Sequence, residues 1–147
     1  MGQHRIVSLA EGPELRDDYQ RFTEAHWPPV GLLDDVGDRL WMESLEKNPD
    51  CHFGVWLNEE LVGVGNCAPV FEDVALDALP DEGWRWALIS SVTGGAAAPR
   101  YVSALAATVA RSARGHRISN VILEQFKVIA RRRGASGVIA PVRPNMK

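Results

Sequence analysis

Thr108-Val109-Ala110-Arg111-Ser112-Ala113-Arg114-Gly115-His116-Arg117-Ile118-Ser119 joins two segments of opposite periodicity. Before it, residues 101–110 read as a strand, rich enough in alanine for another backbone or a ligand to lie close against it. After it, Ile118, Val121, Ile122, Phe126 and Ile129 recur at helical spacing, which predicts a helix over 117–133 closed by Gly134. A strand that feeds a glycine-containing turn into a helix gathers unpaired backbone N–H groups and the positive end of the helix dipole at one point. Gly115 lets the backbone approach an anion there, and Arg114 and Arg117 add charge. That describes a phosphate site with a mechanism. A single glycine in such a turn is equally what a plain strand-to-helix connection contains.

Residues 136–142 read as a further strand ahead of Arg143-Pro144, so the last three elements form a β-α-β unit with a right-handed crossover and parallel strands. Toward the N-terminus, residues 4–9 read as a strand ended by Glu11-Gly12-Pro13. Leu15, Tyr19 and Phe22 mark a helix over 14–26 that Pro28-Pro29 stops. Leu40, Trp41 and Leu45 mark a second helix over 35–47, stopped by Asn48-Pro49. Phe53, Val55 and Leu57 then alternate, Asn58-Glu59-Glu60 turns, and Leu61, Val62 and Val64 resume, which is a hairpin. Residues 71–83, with five acids, Pro80 and Gly83, predict an exposed loop; Trp84, Trp86, Leu88 and Ile89 form an apolar patch, and residues 93–99 a Gly/Ala connector. The predicted order is β-α-α-β-β-β-α-β, an α/β (α+β) arrangement with a central mixed sheet flanked by helices.

The 147 residues suit one domain, 1–147, and 46% apolar content is enough to build its core. With 24% charged residues the chain is not of the disordered class. No apolar run reaches membrane-spanning length, and the first residues lack a signal-peptide core, so the expectation is a cytoplasmic protein. The net charge of −3 conceals an asymmetry: residues 111–147 carry nine Lys and Arg against Glu124 alone, and residues 1–110 carry a net −11. A basic quarter on an acidic body suits contact with an anion, either a nucleotide phosphate or nucleic acid; it is equally what a solvated helix face provides.

Several of these stretches resemble the GNAT N-acetyltransferases. The resemblance lies in Val109-x5-Gly115-x-Arg117-Ile118-Ser119 with its helix, and in the strand end Ala140-Pro141-Val142-Arg143-Pro144. It extends to Leu79-Pro80-Asp81-Glu82-Gly83-Trp84-x-Trp86-Ala87 and to Val62-Gly63-Val64-Gly65-Asn66, and it is strongest to a bacterial subgroup with an Arg-Gly-x-Gly-Leu-Ser turn. It spans about residues 50–147. It implies an enzyme that transfers acetyl from acetyl-CoA to a primary amine of a small molecule by direct attack, with no metal. It implies that the backbone of Ala107, Thr108 and Val109 pairs with the pantetheine arm. The pyrophosphate would be held at Arg114, Gly115, His116, Arg117, Ile118 and Ser119, and an N–H near Val109 would hold the oxyanion.

The chain departs from the family pattern Gln/Arg-x-x-Gly-x-Gly/Ala at Ser112 and at Arg117, where a long side chain either obstructs the cofactor or clamps a phosphate. GNAT domains usually continue past the strand at 136–142 with a helix and a strand pair. Those elements are expected to be missing here, through shortening of the chain or because a partner chain, as in a homodimer, supplies them. Two other readings stand beside the enzyme: a non-catalytic acyl-CoA-binding or regulatory module, and a nucleic-acid-binding domain using the basic helix over 111–133. Nucleic acid and membrane are not the expected partners.

Other chemistry is sparse. His4, His26, His52 and His116 have no ligand spacing, so no metal is expected. Cys51 and Cys67 read as small buried apolar residues. Gly63-x-Gly65 on a strand reads as a bulge or a close approach of backbone. The tryptophans read mostly as core, with Trp84 and Trp86 as candidates for an acceptor pocket. Glu72 and Asp73 have the chemistry of a general base, but nothing in the pattern selects them, and no catalytic residue is assigned.

Overall fold

The computed structural model describes residues 4–26, 35–71, 83–94, 98–113 and 117–140. They form β1 (His4–Ser8), α1 (Arg16–His26, entered through a short 3-10 turn), α2 (Asp35–Lys47), β2 (His52–Leu57), β3 (Glu60–Val70), α3 (Gly83–Thr93), β4 (Tyr101–Val109), α4 (Ile118–Arg133) and β5 (Val138–Ile139). The five strands make one sheet in the order β1-β2-β3-β4-β5. The first four strands are antiparallel, and β5 runs parallel to β4, as the β-α-β reading requires. No helix among the described residues is long and apolar enough to cross a membrane.

Strand alternation sorts the core onto two faces. Phe53, Val55, Cys67 and Val102 meet Ile118, Ile122, Phe126 and Ile129 of α4 on one face. Ala68, Val70, Tyr101 and Leu105 meet Ala87 and Leu88 of α3, with Leu40 and Trp41 of α2, on the other. Cys51 and Cys67 are fully buried as free thiols within the α4-side core. Tyr19 locks α1 to the edge of the sheet: its hydroxyl donates to the Val7 carbonyl at 2.8 Å and accepts from Trp56 Nε1 at 3.2 Å.

The glycines at 63 and 65 are sites of close approach. A β-carbon on Gly65 would stand 2.4 Å from Phe53 Cζ and 2.8 Å from Ile122 Cγ2, and one on Gly63 would stand 2.7 Å from Ile118 Cγ2. These two positions let the first turns of α4 settle onto β3. Gly65→Ala is therefore expected to destabilise the protein by about 2 kcal/mol, since overpacking a filled core costs that much; urea denaturation measures it, and an unchanged midpoint would contradict this packing.

The observed order has one helix more than the sequence pattern predicts. Trp86, Leu88 and Ile89, expected in an apolar patch between loops, lie in α3. The helical period was hidden because Ser90 and Ser91 lie on the buried side. Ser91 Oγ donates to the Leu88 carbonyl at 2.7 Å, and Ser90 Oγ accepts the Phe71 N–H at 3.0 Å. Serines satisfied in this way can be buried, yet in a pattern of polar and apolar letters they read as surface. Strand β3 also runs to Val70, beyond the predicted hairpin, through Asn66, Cys67 and Pro69. Of the strand expected over 136–142, Val138 and Ile139 pair with Val102 and Ser103. Residues 141–147, the acidic stretch with Glu72 and Asp73, and the side chain of Trp84 lie outside the described residues.

Candidate active site

Strand β4 contains one residue too many for its partner. Against β3, Tyr101, Val102, Ser103 and Ala104 face Val70, Pro69, Ala68 and Cys67 in turn; then Ala106 faces Asn66, and Leu105 is passed over. An inserted residue of this kind reverses which backbone groups face which neighbour. Two hydrogen bonds mark the reversal. Val102 N–H donates to Gly137 O at 3.0 Å, so before the bulge the even-numbered residues face β5; Ala110 N–H donates to Val62 O at 2.9 Å, so beyond it they face β3. Ala107 and Val109 consequently turn their N–H and C=O groups away from β3, toward the side of β5. The β5 ladder has ended by then, at Ser103–Ile139. Among the described residues no strand lines this part of the edge.

Of the three strand residues expected at the cofactor, then, Ala107 and Val109 offer backbone to the open edge. Thr108 pairs with Val64 of β3, and its side chain is buried on the opposite face. Sequence reasoning could not make that distinction, because the run Ala104-Leu105-Ala106-Ala107 has no polar letter to mark a change of face.

The strand leads through a 3-10 turn at Arg111–Ala113 to α4. Arg114, Gly115 and His116 lie outside the described residues. Arg117 is the N-cap of α4 in the left-handed conformation (φ 57°, ψ 32°), with no side-chain cap and no acid in the first turn. Val121 N–H donates to Arg117 O at 3.1 Å, the first bond of the helix. The N–H groups of Ile118, Ser119 and Asn120 therefore precede the helical ladder and carry the positive end of its dipole. Ile118 contributes only its backbone here, since its side chain is buried over Gly63. The Ser119 and Arg117 side chains are exposed.

Among the described basic residues of the C-terminal quarter, Lys127, Arg131, Arg132 and Arg133 lie away from this point. Arg131, Arg132 and Arg133 sit at the far end of α4, roughly 20 Å away at 1.5 Å per residue. Arg133 donates to both Asp50 oxygens, at 2.6 and 3.2 Å, and to Asn48 Oδ1 at 3.3 Å; Lys127 pairs with Glu124 at 3.0 Å.

One polar cluster went unnoticed in the sequence. His52 is wholly buried between Ser44 and Asn66, and burial lowers its pKa to about 4. The signal was available in the hairpin register, which sets His52 opposite Asn66.

No family model matches this chain. The loading GNATL domain of CurA from Lyngbya majuscula superposes with a TM-score of 0.67 at 13% identity, over 95% of this chain and 64% of that one. The aminoglycoside 6'-N-acetyltransferase AAC(6')-Ih from Acinetobacter baumannii superposes at 0.64 and 12% identity, over 98% of this chain and 82% of that one. The chain has the GNAT fold. In sequence, the arginine N-acetyltransferase avaD of Aspergillus versicolor is 29% identical over 98% of this chain. The chain spans about half, 54%, of that relative's length. Within the GNAT fold, the bulged β4, the edge it opens and the start of α4 are contiguous in sequence and in space.

Proposed function

We propose that the protein is an acetyl-CoA-dependent N-acetyltransferase acting on a primary amine of a small molecule. The observation that carries this reading is the open edge at Ala107 and Val109 running directly into the uncapped N-terminus of α4. An edge of N–H and C=O groups is what an amide-bearing arm such as pantetheine can pair with, as a strand would. The free N–H groups of Ile118, Ser119 and Asn120 suit the phosphates that follow that arm. Arg114, Gly115, His116 and Arg117 would complete the phosphate cradle, and Thr108 would hold the strand in register from behind.

The reaction is direct transfer. The amine nitrogen bonds to the thioester carbon, the C–S bond breaks, CoA leaves as its thiol, and the nitrogen gives up one proton. The Val109 N–H, aimed off the sheet, supports the developing oxyanion. Support for the amine class comes from avaD, an arginine N-acetyltransferase, and from AAC(6')-Iy, solved in complex with the bisubstrate analogue CoA-S-monomethyl-acetylneamine. Calorimetric titration of acetyl-CoA, with free CoA beside it, tests the cradle, and thiol release with L-arginine and neamine tests turnover. Saturable binding of both nucleotides with amine-dependent thiol release is the expected result; absence of binding would overturn the reading.

Arg117 decides a finer point. A left-handed arginine costs about 1 kcal/mol relative to glycine, so Arg117→Gly is expected to raise stability by that amount. Because the side chain is exposed at the helix start, the same variant is expected to bind acetyl-CoA several-fold less tightly, through loss of a phosphate donor. Tighter binding would instead identify Arg117 as an obstruction.

A further inference from the structure

On the sheet face covered by α2 and α3, two buried polar atoms have no partner among the described residues, and the more tightly held of them is on Asn66. Asn66 is 4% exposed. Its Nδ2 donates to His52 Nδ1 at 2.9 Å. With Nδ1 accepting, the ring proton is on Nε2 and is donated to Ser44 Oγ of α2 at 3.0 Å; Trp41 packs edge-on against the ring at 5.6 Å. The other arm of the amide, Oδ1, is wholly buried and has no partner among the described residues. An unmet buried carbonyl costs about 1–3 kcal/mol. Three side chains thus hold rigid an acceptor that meets no donor among the described residues.

Its position gives the acceptor a use. An amide that aims Nδ2 at β2 turns Oδ1 away from β2, and β4 is the strand on the other side of β3. The residue opposite Asn66 on β4 is Ala106, the first past the bulge and the neighbour of Ala107. Ala106 is half-buried and Ala107 exposed, and both present only a methyl group. The second orphaned buried atom among the described residues, Ser103 Oγ, belongs to the same face of β4, on the other side of the bulge, opposite Ala68. Two unmet polar groups therefore bracket the point where the strand changes face.

We propose that Asn66 Oδ1 accepts an N–H of an amine-bearing ligand seated beside the β4 bulge, and so positions the acceptor amine. In calling that amine the acetyl acceptor, the inference rests on the function proposed above; the binding itself does not. His52 and Ser44 act through Asn66, fixing the direction of its amide.

Titrating L-arginine, putrescine and neamine into the full chain by calorimetry, with and without CoA, tests this in the wild type, Asn66→Asp and Asn66→Leu. Aspartate keeps an oxygen in the place of Oδ1 and loses the donor to His52; leucine loses both. At least one amine is expected to bind the wild type, leucine to weaken it by about tenfold or more, and aspartate to hold it within about threefold, the difference expected of one hydrogen bond to a charged group. Acetyl-CoA affinity is expected to stay level across the three proteins. If leucine does not fold, Asn66→Ala serves as the oxygen-free variant. The proposal is overturned if none of the three amines binds the wild type, if the oxygen-free variant binds as the wild type does, or if aspartate fails as badly as leucine. That last outcome would mean the bond to His52 is structural and nothing more. Asn66-dependent amine binding in a protein that does not bind acetyl-CoA would sink the acetyltransferase reading and leave this one standing.

Discussion

A glutamate in place of Ser119 is expected to weaken acetyl-CoA binding roughly a hundredfold while leaving the fold as stable as before, or slightly more so. Ser119 is exposed in the first turn of α4, ahead of the first helical hydrogen bond. A carboxylate there complements the helix dipole, which favours the fold by about 0.3–1 kcal/mol. The same charge, about 5 Å from a phosphate at an effective dielectric near 20, repels it by about 3 kcal/mol. The two effects have opposite signs, so a thermal melt and a calorimetric titration of one variant separate folding from binding. Ser119→Ala should do little to either. Equal affinity for wild type and the glutamate variant would remove α4 as the phosphate anchor, whatever the fate of β4.

Acid is expected to destabilise the protein through His52. Its ordinary value of 6.5 falls to about 4 in the fold because full burial disfavours the imidazolium, although the Asp50 charge and a hydrogen bond to the Ser44 backbone pull the other way. A depressed pKa means that between pH 6.5 and 4 the unfolded chain takes up a proton that the native chain refuses. Stability is therefore complete above about pH 6.5 and falls as the pH drops toward 4, by about 3 kcal/mol in all. Urea unfolding at a series of pH values measures the slope, and His52→Gln should flatten it. If the two slopes coincide, His52 is not the group that titrates. Protonation of the folded protein would also convert Nδ1 from an acceptor into a donor that faces the Asn66 amide nitrogen, so amine binding should hold down to about pH 5 and decline only as the pH approaches the native value of about 4.

Much of this architecture was legible in the chain, and the gaps have physical causes. Helix α2 could be read to its ends because Asn48-Pro49 stops it, and α4 because five apolar residues hold a clean stripe before Gly134. Helix α3 could not, since two serines that bond to backbone look like surface. Strand β3 was cut short because Asn66 and Pro69 are poor strand formers, yet both lie where the β2 ladder has ended or is ending. For the proposed site, the sequence signal lay in the strand-turn-helix junction at Gly115, a residue outside the described ones, and in the helix start. What turns the backbone of Ala107 and Val109 away from β3, the skipped Leu105, leaves no trace in an alanine-rich run; it emerges only when the register on both sides is known. The acceptor amide of Asn66 was equally silent, because an orphaned atom is a property of surroundings and not of spacing.

The ion pair between Arg133 and Asp50 has a mechanical consequence. With Asn48 donating to the Ser91 carbonyl at 3.2 Å, it bolts the last turn of α4 to the start of β2 and, through it, to α3, while Gly134 and Ala135 close the helix end by donating to Arg131 and Ala130. Among the described residues the first turn has no ion pair of this kind and is held by the packing of Ile118 and Val121. The helix is a beam clamped at one end, and its thermal fraying must concentrate where the phosphates would arrive. Amide exchange should accordingly grade from fast at 118–120 to slow at 129–133, and acetyl-CoA should slow the free end while the clamped end keeps its rate.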